Sequence, residues 1–197
     1  MERIPNERLI EIAGLAGELW FGFLEAFEGQ LKATDLFSSS IARINPVVLK
    51  FFQYCSEIEI GELPAIGGST QSVIQSFVLA TALTGKHSAP TWLWCSSNGA
   101  PGLLIDYDQI DVAFPQRPVA QKVITRLFLH EIGHLVLHFK RLTTGSSGRV
   151  HNSTSLDEEE AWAFCGIILG LALGTIARGG RDTHPKDQVD KAWKHSI

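Results

Sequence analysis

The chain has 197 residues, 45% hydrophobic and 19% charged, with a formal net charge of −4. That profile suits a folded unit with a sizeable core and excludes a disordered chain. The weak negative charge, with Arg141, Arg149, Arg178 and Arg181 scattered, leaves no basic stripe for nucleic acid and no field toward an anionic membrane. Cys55, Cys95 and Cys165 are odd in number, widely spaced and free of any C-x-x-C pattern. They read as buried thiols in a reducing compartment, the cytoplasm, rather than as a disulfide framework. The opening MERIPNERLIEIAG lacks the apolar stretch of a secretory signal.

From Asn6 to Leu31, apolar residues recur at Leu9, Ile12, Leu15, Leu19, Phe23 and Phe27, which predicts an amphipathic helix. A second helical piece is expected over Asp35 to Arg43. Asn45-Pro46 then gives an N-cap and a first-turn proline for a helix through Val47 to Tyr54. Ile58 to Thr70, with Pro64, Gly67 and Gly68, reads as a loop, and Gln71 to Thr84 as a helix closed by Gly85. The period then shortens. Thr91–Cys95 and Leu103–Tyr107 are apolar, bounded by Asn98-Gly99 and Pro101-Gly102, and predict two strands. Asp108 to Pro118 is polar and reads as a connection. Pro118 opens a long helix to about Leu142, and a Gly/Ser/Thr-rich loop runs from Thr143 to Thr154. Ser155-x-x-Glu158 reads as a capping box for a last helix to Ala177, followed by a polar tail. That helix raises a membrane question. Ala161 to Ala177 carries no charge, and Gly166, Gly170 and Gly174 are spaced for close helix packing. Three acids abut its start, and a membrane span is the weaker expectation.

Residues 130–138 read H-E-I-G-H-L-V-L-H within the apolar helix marked by Val123, Leu127, Ile132, Leu135 and Val136. His130 and His134 are four apart, so their rings leave one helix face a turn apart and can reach one zinc ion. Glu131 sits where a general base is needed. A chance H-E-x-x-H in a chain of this composition is expected about 2% of the time. Two histidines do not complete a zinc site, and catalytic zinc usually takes a third protein ligand. A third histidine at the extended-motif spacing is excluded, because Leu137 and Lys140 stand at the required Gly and His positions. The acidic run Asp157-Glu158-Glu159-Glu160 is then the source. Glu160 shares a face with Phe164, Ile167 and Leu171 and is the favoured ligand, with Glu159 second; Asp157 and Glu158 suit the helix N-terminus. His138, one turn beyond His134, fits a ligand, a supporting partner or a helix-end cation. His151, in the loop between the two helices, and Tyr107, at the end of the second expected strand, are candidate donors to a developing oxyanion.

These residues resemble the ImmA/IrrE metallopeptidase family, which typically shows H-E-x-G-H-x-x-x-H followed by E-A-x-x-F-A. Here the corresponding segments are H-E-I-G-H-L-V-L-H at 130–138 and E-A-W-A-F-C at 160–165. The likeness covers about Gln71 to Ala177. It implies zinc held by His130, His134 and Glu160, with Glu131 as the base. Trp162 and Cys165 stand where the family commonly has Asn or Asp and Ala. The family's L-L-x-P near the last helix is replaced by Gly-Leu-Ala-Leu-Gly, and the first seventy residues do not resemble its usual helix-turn-helix module.

The expected fold is α+β and mostly helical, with a small antiparallel or mixed sheet packed on the H-E-x-x-H helix. The expected organisation is a helical region over 1–60, a zincin-like domain over 61–180 and a polar tail over 181–197. The leading functional expectation is a zinc metallopeptidase acting on a peptide or protein, with no nucleic-acid or membrane partner and the oligomeric state open. Two alternatives stand beside it. One is a zinc enzyme for a small molecule, its pocket walled by Trp20, Phe21, Phe23, Phe27, Phe51, Phe52 and Tyr54. The other is a zinc-stabilised binding module whose fourth position is filled by His138 or His151.

Overall fold

The computed structural model describes residues 3–37, 44–60, 90–95, 99–142, 148–149 and 153–177. Among these it is an α+β fold, mostly helical, with one small sheet. Helix α1 spans Asn6–Ala26 and buries Ile12, Ala16, Leu19, Trp20 and Phe23 on the face that the spacing marked. A 3₁₀ turn follows over Ala33–Phe37, and α2 covers Pro46–Ile60. Asn45 is the pin between them. Its Oδ1 accepts the Val47 N–H at 2.8 Å, and its amide donates to the Asp35 and Leu36 carbonyls at 2.9 and 2.8 Å. One buried amide thus satisfies a helix start and fastens the preceding turn. The expected helical piece from Asp35 to Arg43 is this shorter 3₁₀ turn at its start, with 38–43 outside the described residues. The expected helix over Gln71–Thr84 also lies outside them.

The aromatic residues of α1 and α2 pack on one another. Phe51 meets Trp20 and Phe23 edge-on at 5.5 and 5.2 Å between ring centres, and Phe23 also lies 5.8 Å from Tyr54. Such pairs add roughly 0.5–1.5 kcal/mol each beyond the area they bury. They are core, continuous with the apolar faces of the later helices.

Strands β1 (Thr91–Cys95) and β2 (Pro101–Ile105) pair antiparallel, with Thr91 opposite Ile105 and Cys95 opposite Pro101. Gly99, at φ 85, takes a left-handed conformation in the connecting turn that side chains disfavour. The short β3 (Gly148–Arg149) pairs antiparallel with the other edge of β1, giving the order β2-β1-β3. The polar stretch after β2, expected to be a connection, contains a helix, α3 (Tyr107–Ala113). Asp106 starts it by accepting the Gln109 N–H at 3.1 Å, which ends β2 before Asp106.

Helix α4 (Arg117–Leu142) carries the motif in its buried middle, and β1 lies against it. Helix α5 (Ser155–Ala177) packs against α4 on one side and α1 on another. Its capping box is one residue earlier than expected. Thr154 N–H bonds Asp157 Oδ2 at 2.6 Å, and Asp157 N–H bonds Thr154 Oγ1 at 3.2 Å. Among the described residues no helix is long and apolar enough to cross a membrane. One face of α5 is covered by its neighbours, with Ala161, Phe164, Ile168 and Ala172 fully buried, while Trp162 and Leu173 are exposed.

At Gly133 the backbones of α4 and α5 come close together. A Cβ there would lie 2.9 Å from both the Cα and the carbonyl oxygen of Ala161. A glycine in a helix interior costs roughly 0.5–1 kcal/mol relative to alanine, and here it lets two backbones meet. That contact brings the first turn of α5 up to the histidines.

Candidate metal centre

The helical period puts His130 and His134 on one face of α4, and the close approach at Gly133 sets α5 opposite them. Both histidines are buried. Their Nε2 atoms are 3.2 Å apart. The carboxylate of Glu158, in the first turn of α5, faces them both: Oε2 is 3.2 Å from His130 Nε2 and Oε1 is 3.3 Å from His134 Nε2. The three side chains form a group within metal-binding distance. The spacing suits a metal better than it suits the groups alone. Ligands about 2.0–2.1 Å from a tetrahedral zinc are about 3.3–3.4 Å from one another. The contacts with His130 and His134 hold the Glu158 carboxyl well below the usual carboxylate range, although burial opposes this. An anionic oxygen and two imidazoles are a donor set for zinc or a similar divalent ion.

Glu160, the favoured third ligand from the sequence, is not in this group. The face assignment was right, since Phe164, Ile167 and Leu171 are buried beside it. The core face, however, is not the face that meets the ring pair. Glu160 points to α1, where Arg8 grips it with Nε–Oε1 at 3.0 Å and Nη2–Oε2 at 2.9 Å. Its other contact is His138 Nε2, 3.0 Å from Oε2. Burial raises the Glu160 carboxyl, but Arg8 and His138 together bring it below its ordinary value. His138 is also not in this group. It lies between Glu160 and His134, its Nδ1 3.2 Å from His134 Nδ1. Burial pushes its imidazole below the ordinary value, toward the neutral form. Glu159 is likewise absent from the group.

Glu131 is buried beside the rings, and Thr91 on β1 donates its hydroxyl to Glu131 Oε1 at 3.2 Å. Burial raises the Glu131 carboxyl, while the two imidazoles and Thr91 oppose the rise. A cleft of about 250 Å³ opens over the group, lined also by Thr91, Trp92, Leu127, Leu142 and Trp162. Trp162 lies over His130, ring centres 4.2 Å apart at 32°, and is 46% exposed. Tyr107 does not line the cleft. It is the first residue of α3, turned there by the Asp106 cap, and packs partly buried against the core. His151 lies outside the described residues. The three cysteines are buried and not joined in a disulfide, and burial pushes the Cys165 thiol up to about 12, so it is no nucleophile.

Four contributors were not found from sequence: Glu158 as the facing carboxylate, Thr91, the stacking role of Trp162, and Arg8. One signal was present. Glu158 and Trp162 are four apart on a helix, so a face holding one holds the other. Thr91 and Arg8 lie 40 and 152 residues from their partners and carry no local signal. Comparison of the chain with known protein families, curated proteins and solved structures finds no match.

Proposed function

We propose that the chain is a zinc-dependent hydrolase of the metallopeptidase type, of the kind its resemblance to the ImmA/IrrE family implies. The observation that carries the reading is the convergence of His130, His134 and Glu158 beside a buried Glu131 at the floor of a cleft. Bound zinc would supply Lewis-acid polarisation of a carbonyl and acidify water. The two histidines and Glu158 hold the ion, with Glu158 in the role that the sequence favoured for Glu160. Thr91 occupies Oε1 of Glu131. Oε2 is then the oxygen that takes a proton from water and returns it to the leaving amine. Burial shifts the Glu131 carboxyl upward, the direction that suits a group that must both accept and release a proton.

A peptide substrate is favoured by the position of β1. β1 lies between β2 and β3, so a peptide would rest against its residues Thr91, Trp92 and Leu93, which line the cleft, rather than add to the sheet. The small-molecule alternative loses its expected wall, since the aromatic residues of α1 and α2 pack as core and none lines the cleft. The zinc-stabilised binding module loses His138 as a filler, because Glu160 engages it. Three buried thiols without a disulfide favour a reducing compartment such as the cytoplasm.

The decisive experiment is E131Q. Zinc uptake should persist while hydrolysis of an unstructured protein such as casein falls about 100- to 10,000-fold. Undiminished hydrolysis in the zinc-loaded variant would remove Glu131 as the base.

A further inference from the structure

The hydrogen bonds behind His134 run in one line to the first helix. Arg8 on α1 binds both oxygens of Glu160, at 3.0 and 2.9 Å. Oε2 of Glu160 meets His138 Nε2 at 3.0 Å, and His138 Nδ1 meets His134 Nδ1 at 3.2 Å. Glu160 and His138 are nearly sealed from solvent, with side chains 7% and 3% exposed. Each proton position follows from the one before. A carboxylate gripped in two places by a guanidinium is charged and can only accept. His138 must therefore carry a proton on Nε2, since a bare nitrogen would set lone pair against lone pair at that distance. In neutral His138 the Nδ1 atom is then an acceptor. In that arrangement His134 supplies the proton between the two Nδ1 atoms, which leaves its own Nε2 bare toward Glu158 Oε1, 3.3 Å away, where a metal would sit between them.

We propose that Arg8, Glu160 and His138 are positioning residues that fix His134 as the Nδ1–H tautomer, so that its Nε2 lone pair is presented to a metal. The proposal rests on the reading of His130, His134 and Glu158 as a metal site. The alternative tautomer is not idle. With a proton on Nε2, His134 could donate to Glu158 Oε1, 3.3 Å away. Such a hydrogen bond would tie up two ligands in each other. The chain from Arg8 biases against it. His130 has no such support, since its Nδ1 is buried without a hydrogen-bond partner among the described residues.

The tautomer is read directly in metal-free protein with ¹⁵N-labelled histidine, from two-bond nitrogen–proton correlations. Wild type should show His134 with its proton on Nδ1, and E160L should show a mixture or the Nε2–H form. Zinc affinity, measured by competition with a chromophoric chelator, should weaken about 10- to 100-fold in E160L, the range typical for partners behind a ligand. E160Q keeps an acceptor oxygen and should lose less. R8M, on a partly exposed side chain, tests the far end without removing a buried group and should weaken zinc binding while the fold persists. An Nε2–H His134 in the wild type, or E160L and R8M binding zinc as tightly as wild type, would overturn the relay. Zinc uptake that is absent in wild type, or unchanged in H134A, overturns the metal-site reading instead, and the tautomer spectra still decide the relay.

Discussion

His130 and His134 stand one turn apart on the same helix and face the same carboxylate, yet they are held by different means. Behind His134 lies a dry row of hydrogen bonds ending at Arg8 on α1. Beside His130 lies Trp162, a half-exposed ring in contact but not in hydrogen bond, at the cleft mouth. The bonded flank is directional and permits one arrangement. The stacked flank resists movement less, and its Trp162 is half exposed where it lines the cleft. The pair thus has one ring held by directional bonds and one held by stacking.

That asymmetry can be broken in stages. The largest effect should come from E158A, which removes the carboxylate that faces both rings. Stoichiometric zinc uptake should be lost, measured by elemental analysis after gel filtration, whereas E160Q should retain the metal. Equal loss in both would erase the distinction between the flanks. Next comes G133A. The added methyl would press on the Ala161 backbone and part α4 from α5, costing about 1–3 kcal/mol in denaturant unfolding. Zinc binding should fall with it, because Glu158 would move away from the rings. The smallest effect belongs to W162A. Losing one stacked ring is worth roughly 0.5–1.5 kcal/mol. Zinc affinity should therefore weaken only about two- to tenfold, as measured by chelator competition. A larger loss than in E160L would reverse the order of the two flanks.

Much of this arrangement was legible in the chain. The helix period placed His130, Glu131 and His134 together, and the apolar runs located β1, most of β2 and the long last helix. The missing parts are tertiary. Which of four consecutive acids meets the rings depends on the rotation of α5 against α4. That rotation follows from packing between the two helices, including the close approach of Gly133 to Ala161, which no periodicity within a single helix encodes. Burial favoured Glu160, and Glu160 is indeed buried, but against Arg8 and His138 rather than toward the rings. The capping box was ambiguous for a simpler reason. Thr154-x-x-Asp157 and Ser155-x-x-Glu158 fit the same pattern, and Glu158 is occupied with the rings. Helix α3 was missed because its seven residues bury only Ile110, too few anchors to show a period.

The ion pair between Arg8 and Glu160 joins residues 152 positions apart. A pair of histidines four apart is in place as soon as its helix forms. Closing a loop of that length carries an entropy cost and waits on both ends being present and packed. During synthesis, residue 8 leaves the ribosome long before residue 160 exists. The two rings thus come together with their helix, and the row of bonds behind His134 is completed only when both ends of the chain have packed. Tight metal binding should then mark a chain that has finished folding, so that immature copies compete poorly for the ion.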